Sequence, residues 1–110
     1  MRAVIVFCVS MATSIDLGTL GGCQELFCSM ATGINNSGQV VGRAHLPSRA
    51  ETPFLYRDGV MMNLNDLISD PGWRIRLATT INDAGQIVGV AVPPGEDYVG
   101  HAVLLTPTAP

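Results

Sequence analysis

The stretch Ile34-Asn35-Asn36-Ser37-Gly38-Gln39-Val40-Val41-Gly42 returns 47 residues later as Ile81-Asn82-Asp83-Ala84-Gly85-Gln86-Ile87-Val88-Gly89. Each copy reads as a β-hairpin. Asn or Asp tolerates the turn and bonds its own backbone, and the following Gly takes the left-handed conformation that closes a short β-loop. The Gln-Val-Val or Gln-Ile-Val that follows is rich in β-branched residues, as a strand requires. Turn chemistry accounts for these Asn and Gly residues without a ligand or a phosphate.

Working outward, the same shift pairs residues 16–42 with 63–89 without a gap, and ten of those 27 positions are identical. Leu17/Leu64, Leu20/Leu67, Ala31/Ala78 and Thr32/Thr79 lie upstream of the hairpin, so the duplicated unit includes the connector that leads into it. Strands are expected near 3–9, 13–17, 28–34, 39–44, 52–57, 60–64, 76–82, 87–92 and 99–105, between Gly, Pro, Asn and Asp clusters. Leu64 to Ile68 reads either as a short helical turn, capped by Asn63 or Asn65, or as the end of a strand, which its apolar residues fit equally well. The fold class is therefore all-β: antiparallel sheets from two repeats of about 47 residues, arranged as β-propeller blades or as a compact two-sheet sandwich. One domain is expected, with a partial repeat at 1–15, repeats at 16–62 and 63–107, and a short Pro-containing tail at 108–110.

The connector and hairpins also carry a resemblance. Asp16-Leu17-Gly18-Thr19-Leu20-Gly21-Gly22, followed by Ala31-Thr32-Gly33 and the first hairpin, resembles the HAF repeat family, whose repeats are named for a His-Ala-Phe strand. The counterparts of that strand are His101-Ala102-Val103-Leu104-Leu105 and, in the earlier copy, Thr52-Pro53-Phe54-Leu55-Tyr56; both depart from the full motif. The stretch from Asn65 to Pro107 looks like the C-terminal end of such a protein. The resemblance implies a β-repeat fold and an extracellular bacterial setting, secreted or at the cell envelope, and it brings no catalytic residues.

Composition narrows the remaining classes. Of the 110 residues, 47% are hydrophobic and 14% charged, which is too apolar for a disordered segment and too small for a two-domain enzyme. The basic side chains are six arginines and the net charge is −3, so no basic stripe recommends nucleic acid. No apolar run reaches the length of a membrane-spanning helix. Arg2 followed by the apolar run Ala3 to Ala12 reads either as a first strand or as an export signal. In the first case the chain could equally be cytoplasmic.

Cys8, Cys23 and Cys28 lack zinc-type CxxC spacing, so no metal site is expected; Cys23 and Cys28 either close a small loop disulfide or remain buried thiols. No hydrolase elbow, phosphate loop, dinucleotide fingerprint or HExxH stands in the sequence, and neither catalytic nor cofactor-binding residues are assigned. The Gly18 to Gly22 run reads as a turn, because no lysine follows it. His101 reads as a strand residue bonded to a backbone carbonyl, and Asp66, Asp70, Glu96 and Asp97 as solvated loop acids. Trp73, the sole tryptophan, with Arg74 and Arg76 beside it, is the candidate interaction surface, since aromatic and arginine residues concentrate at binding hot spots. The competing reading is a core tryptophan with its arginines turned to water.

Two functions follow from this reading. The first is a non-catalytic β-repeat protein that binds a partner or acts structurally; the alternative is a small hydrolase-like enzyme with a site formed between subunits. A self-associating chain or another protein partner is expected, because a propeller needs about four blades to close and two units leave open ends.

Overall fold

Seven antiparallel strands form two sheets in a computed structural model that describes residues 15–23, 28–48, 50–96 and 99–108. β1 (Ser29–Ile34), β2 (Val40–His45), β3 (Glu51–Arg57) and β4 (Val60–Asn63) make the first sheet, in that spatial order. β5 (Arg74–Ile81), β6 (Ile87–Val92) and β7 (His101–Leu105) make the second. β5 lies across β1, β2 and β3, so the chain is a two-sheet sandwich. The expected strand at 3–9, Cys8 and the first two residues of the strand at 13–17 lie outside the described residues. Residues 15–17 are irregular rather than strand. The expected helical turn is a single 3-10 turn over Leu64–Asp66, capped by Asn63, whose Oδ1 accepts from the Asn65 N–H at 2.9 Å.

The two hairpins are built from the same bonds. Asn35 Oδ1 accepts from the backbone N–H groups of Ser37 and Gln39, both at 3.0 Å, and Asn82 Oδ1 accepts from those of Ala84 and Gln86 at 3.0 and 2.9 Å. Each Asn amide also donates to a glutamine carbonyl, Gln39 at 2.7 Å and Gln86 at 2.9 Å. Gly38 and Gly85 hold φ of 81° and 83°, a region where a Cβ would strain the chain. One further turn is equally local: Asp58 (φ 52°) and Gly59 (φ 82°) join β3 to β4 in the doubly left-handed turn that suits the strand twist.

Before each hairpin the ladder slips by one residue, between Ala31 and Gly33 in β1 and between Ala78 and Thr80 in β5. The extra residues are Thr32 and Thr79, whose hydroxyls reach Val41 O at 3.3 Å and Val88 O at 3.1 Å. Opposite these bulges the strands approach so closely that a Cβ on Gly42 or Gly89 would run into the carbonyl of Met30 or Leu77. Glycine is therefore required at both positions by space. In the third strands, Phe54 stands opposite Gly42 and Val103 opposite Gly89, so the two strands compared above occupy the same ladder positions.

Because successive strand residues point to opposite faces, Val40 and Val41 serve two different clusters. Val41 and Leu55 of the first sheet pack with Leu64 against Ile75, Ala78, Ile81, Ile87 and Ala91 of the second, and each large side chain taken from water there contributes about 1.5–3 kcal/mol. Val40, Ala44 and Phe54 form a smaller cluster on the far face of the first sheet, flanked by Leu17, Leu20, Tyr56 and Met61.

The hairpins also bond to each other. Asn35 Nδ2 donates to Asn82 O at 2.9 Å, and the Asn36 backbone N–H and side-chain amide donate to the two oxygens of Asp83 at 2.8 and 2.7 Å. The Thr32 hydroxyl, which already reaches Val41 O, lies 3.0 Å from Ala78 O. The first three of these bonds join residues 47 apart.

Candidate functional site

The start of β5 is held by one side chain acting as a neighbouring strand. Asn65 Oδ1 accepts from the Ile75 N–H at 2.7 Å, and Asn65 Nδ2 donates to Ile75 O at 2.9 Å. An asparagine amide carries both a donor and an acceptor, so it can satisfy both backbone groups of an edge residue. Thr52 ties this clamp to β3: its hydroxyl donates to Asn63 Oδ1 at 2.8 Å and accepts from Asn65 Nδ2 at 3.1 Å.

Ile75 is buried, Arg74 before it points the other way, and Arg76 is the unpaired residue of a bulge between Ile75 and Leu77; both arginines are exposed. Trp73, just before the strand, is half-buried and packs against the edge of the inter-sheet core. The structure thus brings the three expected residues together on one surface, with Trp73 packed partly against the core. They line an open cleft of about 610 Å³, whose other wall includes Glu51, Asn63 and Asn65.

Glu51 is the acid of this cleft. Its carboxylate lies 3.5 Å from an Arg43 guanidinium nitrogen and 3.8 Å from His45 Nε2, so it bridges β2 and β3 by charge. His45 is buried at the end of β2, and Glu51 alone of this pair reaches the cleft lining. Thr52 is the hydroxyl residue there, and its bonds to Asn63 and Asn65 hold it in the clamp.

The other residues singled out from the sequence stay apart. His101 opens β7 and is exposed, and the carbonyl partner expected for its ring is not found among the described residues, because the side chain faces water at the sheet's free edge. Asp66, Asp70 and Glu96 are exposed at separate loops, and Asp97 lies outside the described residues. Among the described residues no three His, Cys, Asp or Glu side chains gather as a metal would need. The glycine run is closed by its own side chains, with Gly18 N–H donating to Asp16 Oδ1 at 2.9 Å and Gly21 N–H to Thr19 Oγ1 at 3.1 Å. Cys23 and Cys28 are joined in a disulfide. No helix among the described residues is long and apolar enough to cross a membrane.

The chain matches no protein-family model, no curated protein and no solved structure. Its function is therefore argued from its own geometry. Two features of that geometry were not singled out in the sequence, the Asn65 clamp and the Asn36–Asp83 joint. The second had a signal: positions 36 and 83 are equivalent under the shift, yet one is an amide donor and the other a carboxylate acceptor.

Proposed function

We propose that this chain is a non-catalytic β-repeat module, of the kind the HAF resemblance implies, and that it binds an acidic segment of a partner protein in the Trp73 cleft. The observation that carries the reading is the juxtaposition of exposed Arg74 and Arg76 with half-buried Trp73 on a strand start fixed by Asn65. Two guanidinium groups beside an aromatic face on a rigid edge offer charge-assisted bonds to carboxylates with little ordering cost. The repeat reading is supported by the identical bonding of Asn35 and Asn82 and by the paired bulges at Thr32 and Thr79. The Cys23–Cys28 disulfide favours the exported or envelope setting, since such bonds persist in oxidising compartments.

A hydrolase would need a nucleophile in reach of a base. Thr52 is committed to the Asn63–Asn65 clamp and Glu51 to Arg43 and His45, so the cleft favours binding over chemistry.

Trp73, the only tryptophan, reports on its own site. Titration with a glutamate-rich peptide should change its fluorescence saturably, and the double replacement Arg74→Glu with Arg76→Glu should abolish the change while the far-ultraviolet circular dichroism stays the same. A change that survives the double replacement, or none at millimolar peptide, refutes the binding role.

A further inference from the structure

The bonds between the two sheets have a direction. The first sheet offers its donors, Thr32 Oγ1, Asn35 Nδ2 and the two Asn36 N–H groups, together with the apolar pair Val41 and Leu55. The second sheet answers with the acceptors Ala78 O, Asn82 O and the Asp83 carboxylate, together with Ala78 and Ile81. The contact is heterologous: one kind of face meets another.

Each sheet therefore has one face used in the contact and, on its other face, an exposed patch of the opposite kind; on the first sheet that patch is Ile34 and Ala31, beside Val40, Ala44 and Phe54, which Leu17 and Leu20 already cover. On the second sheet, Val88 and Leu104 sit opposite one another in the ladder, as Val41 and Leu55 do on the first. Val41 and Leu55 are 0% and 9% exposed; Val88 and Leu104 are 40% and 57% exposed. Asn82 is likewise exposed where Asn35 is buried. On the first sheet the opposite face shows the reverse. Ile34 is 67% exposed where Ile81 is 5% exposed, and Ala31 is exposed where Ala78 is fully buried.

The molecule thus ends in two unlike surfaces that match each other as its own two sheets match. We propose that the Val88–Leu104 face of one chain docks the Ile34–Ala31 face of a second copy, repeating head to tail the contact between the sheets. The inference rests on reading the chain as a β-repeat. The donors in the new seam are Thr79 Oγ1, Asn82 Nδ2 and the Asp83 N–H, and the acceptors on the incoming copy are Ala31 O, Asn35 O and Asn36 Oδ1. Asp83 carries no amide, so this seam has one bond fewer than the internal one.

A second, independent observation agrees. The second sheet ends at β7, whereas the first continues to β4, where Met62 pairs with Leu55 and packs against the core. The residue 47 places before Met62 is Ile15, which is 74% exposed. In the head-to-tail contact the incoming copy's Ile15 falls beside Leu104 at the free edge of β7, completing the pairing that Leu55 and Met62 make. Leu17 of that copy then accompanies the seam as Leu64 accompanies the internal one. A contact of this kind propagates into a ring if its rotation closes and into a filament if it does not.

Sedimentation equilibrium on the full chain tests this with Ile34→Glu and Val88→Glu, both at exposed positions so that each variant folds, as checked by circular dichroism. The wild-type chain should have a concentration-dependent mass above the 11.6 kDa of one chain. Each variant alone should sediment as one chain. An equimolar mixture should form a one-to-one dimer, because each variant keeps the face the other lacks. A wild-type mass of one chain into the high-micromolar range overturns the proposal. So do variants that associate as the wild type does, or a mixture that stays monomeric. The substitutions leave Trp73, Arg74 and Arg76 in place, so the peptide titration repeated on the Ile34→Glu monomer reads the cleft separately.

Discussion

The hairpin at 34–42 and the hairpin at 81–89 make the same internal bonds in opposite surroundings. Asn35 is 8% exposed beneath the second unit, and Val41 beside it is wholly buried; Asn82 is open to water, and Val88 is 40% exposed. Identical turns thus arise with and without a covering sheet. The turn is a property of a few adjacent residues, and what it contributes to stability is a property of its neighbour.

The sharpest way to break this comparison is to place the same charge in both. Val41→Asp buries an unpaired carboxylate between the sheets and should cost more than about 4 kcal/mol, enough to unfold the chain. Val88→Asp, measured at low concentration to keep the chain monomeric, should stay within about 0.5 kcal/mol of wild type. Urea denaturation followed by circular dichroism distinguishes them, and similar costs at the two sites would mean that the sheets are not packed as described.

A finer difference is expected for the turn residues themselves. Asn35→Ala frees the partly buried N–H groups of Ser37 and Gln39 and removes the bond to Asn82 O beneath the second sheet, a loss of about 2–3 kcal/mol. Asn82→Ala leaves groups that water can satisfy and should cost about 1 kcal/mol. Equal losses in denaturant midpoint would show that the covering sheet adds nothing to the first hairpin. The smallest effect belongs to the joint between the hairpins. Asp83→Ala removes an exposed acceptor pair and should cost about 0.5–1 kcal/mol, and in a double-mutant cycle with Asn36→Ala the two losses should be strongly non-additive.

The strands from 28 to 105 were legible because their signals are local: β-branched runs between Asn, Gly and Pro clusters place β1 to β7 within about two residues of expectation. The cap was one of two open choices, Asn63 or Asn65, and the structure selects Asn63. In the candidate site, Trp73, Arg74 and Arg76 stood out by residue type; the bulge that leaves Arg76 unpaired between Ile75 and Leu77 shows only in the strand pairing. The Asn65 clamp was not legible, because an asparagine after a strand reads as a turn residue whether or not a backbone ten residues away comes to meet it. Glu51 was missed as well; nothing in its neighbours announces that the start of β5 will form a cleft with it. The disulfide was one of two open readings for Cys23 and Cys28, and proximity in space selected it.

What the sequence by itself determined are the two Asn-Gly hairpins; the bulges before them and the glycines opposite are equally local but show only once the strands pair. Each follows from bonds and clashes that close within a strand pair, and each recurs wherever the same residues recur. Only the tertiary structure decided which copy is covered, which face of each sheet stays open, and that Asn36 meets Asp83. Those outcomes bring together residues 47 apart, and that depends on how one sheet lies across the other.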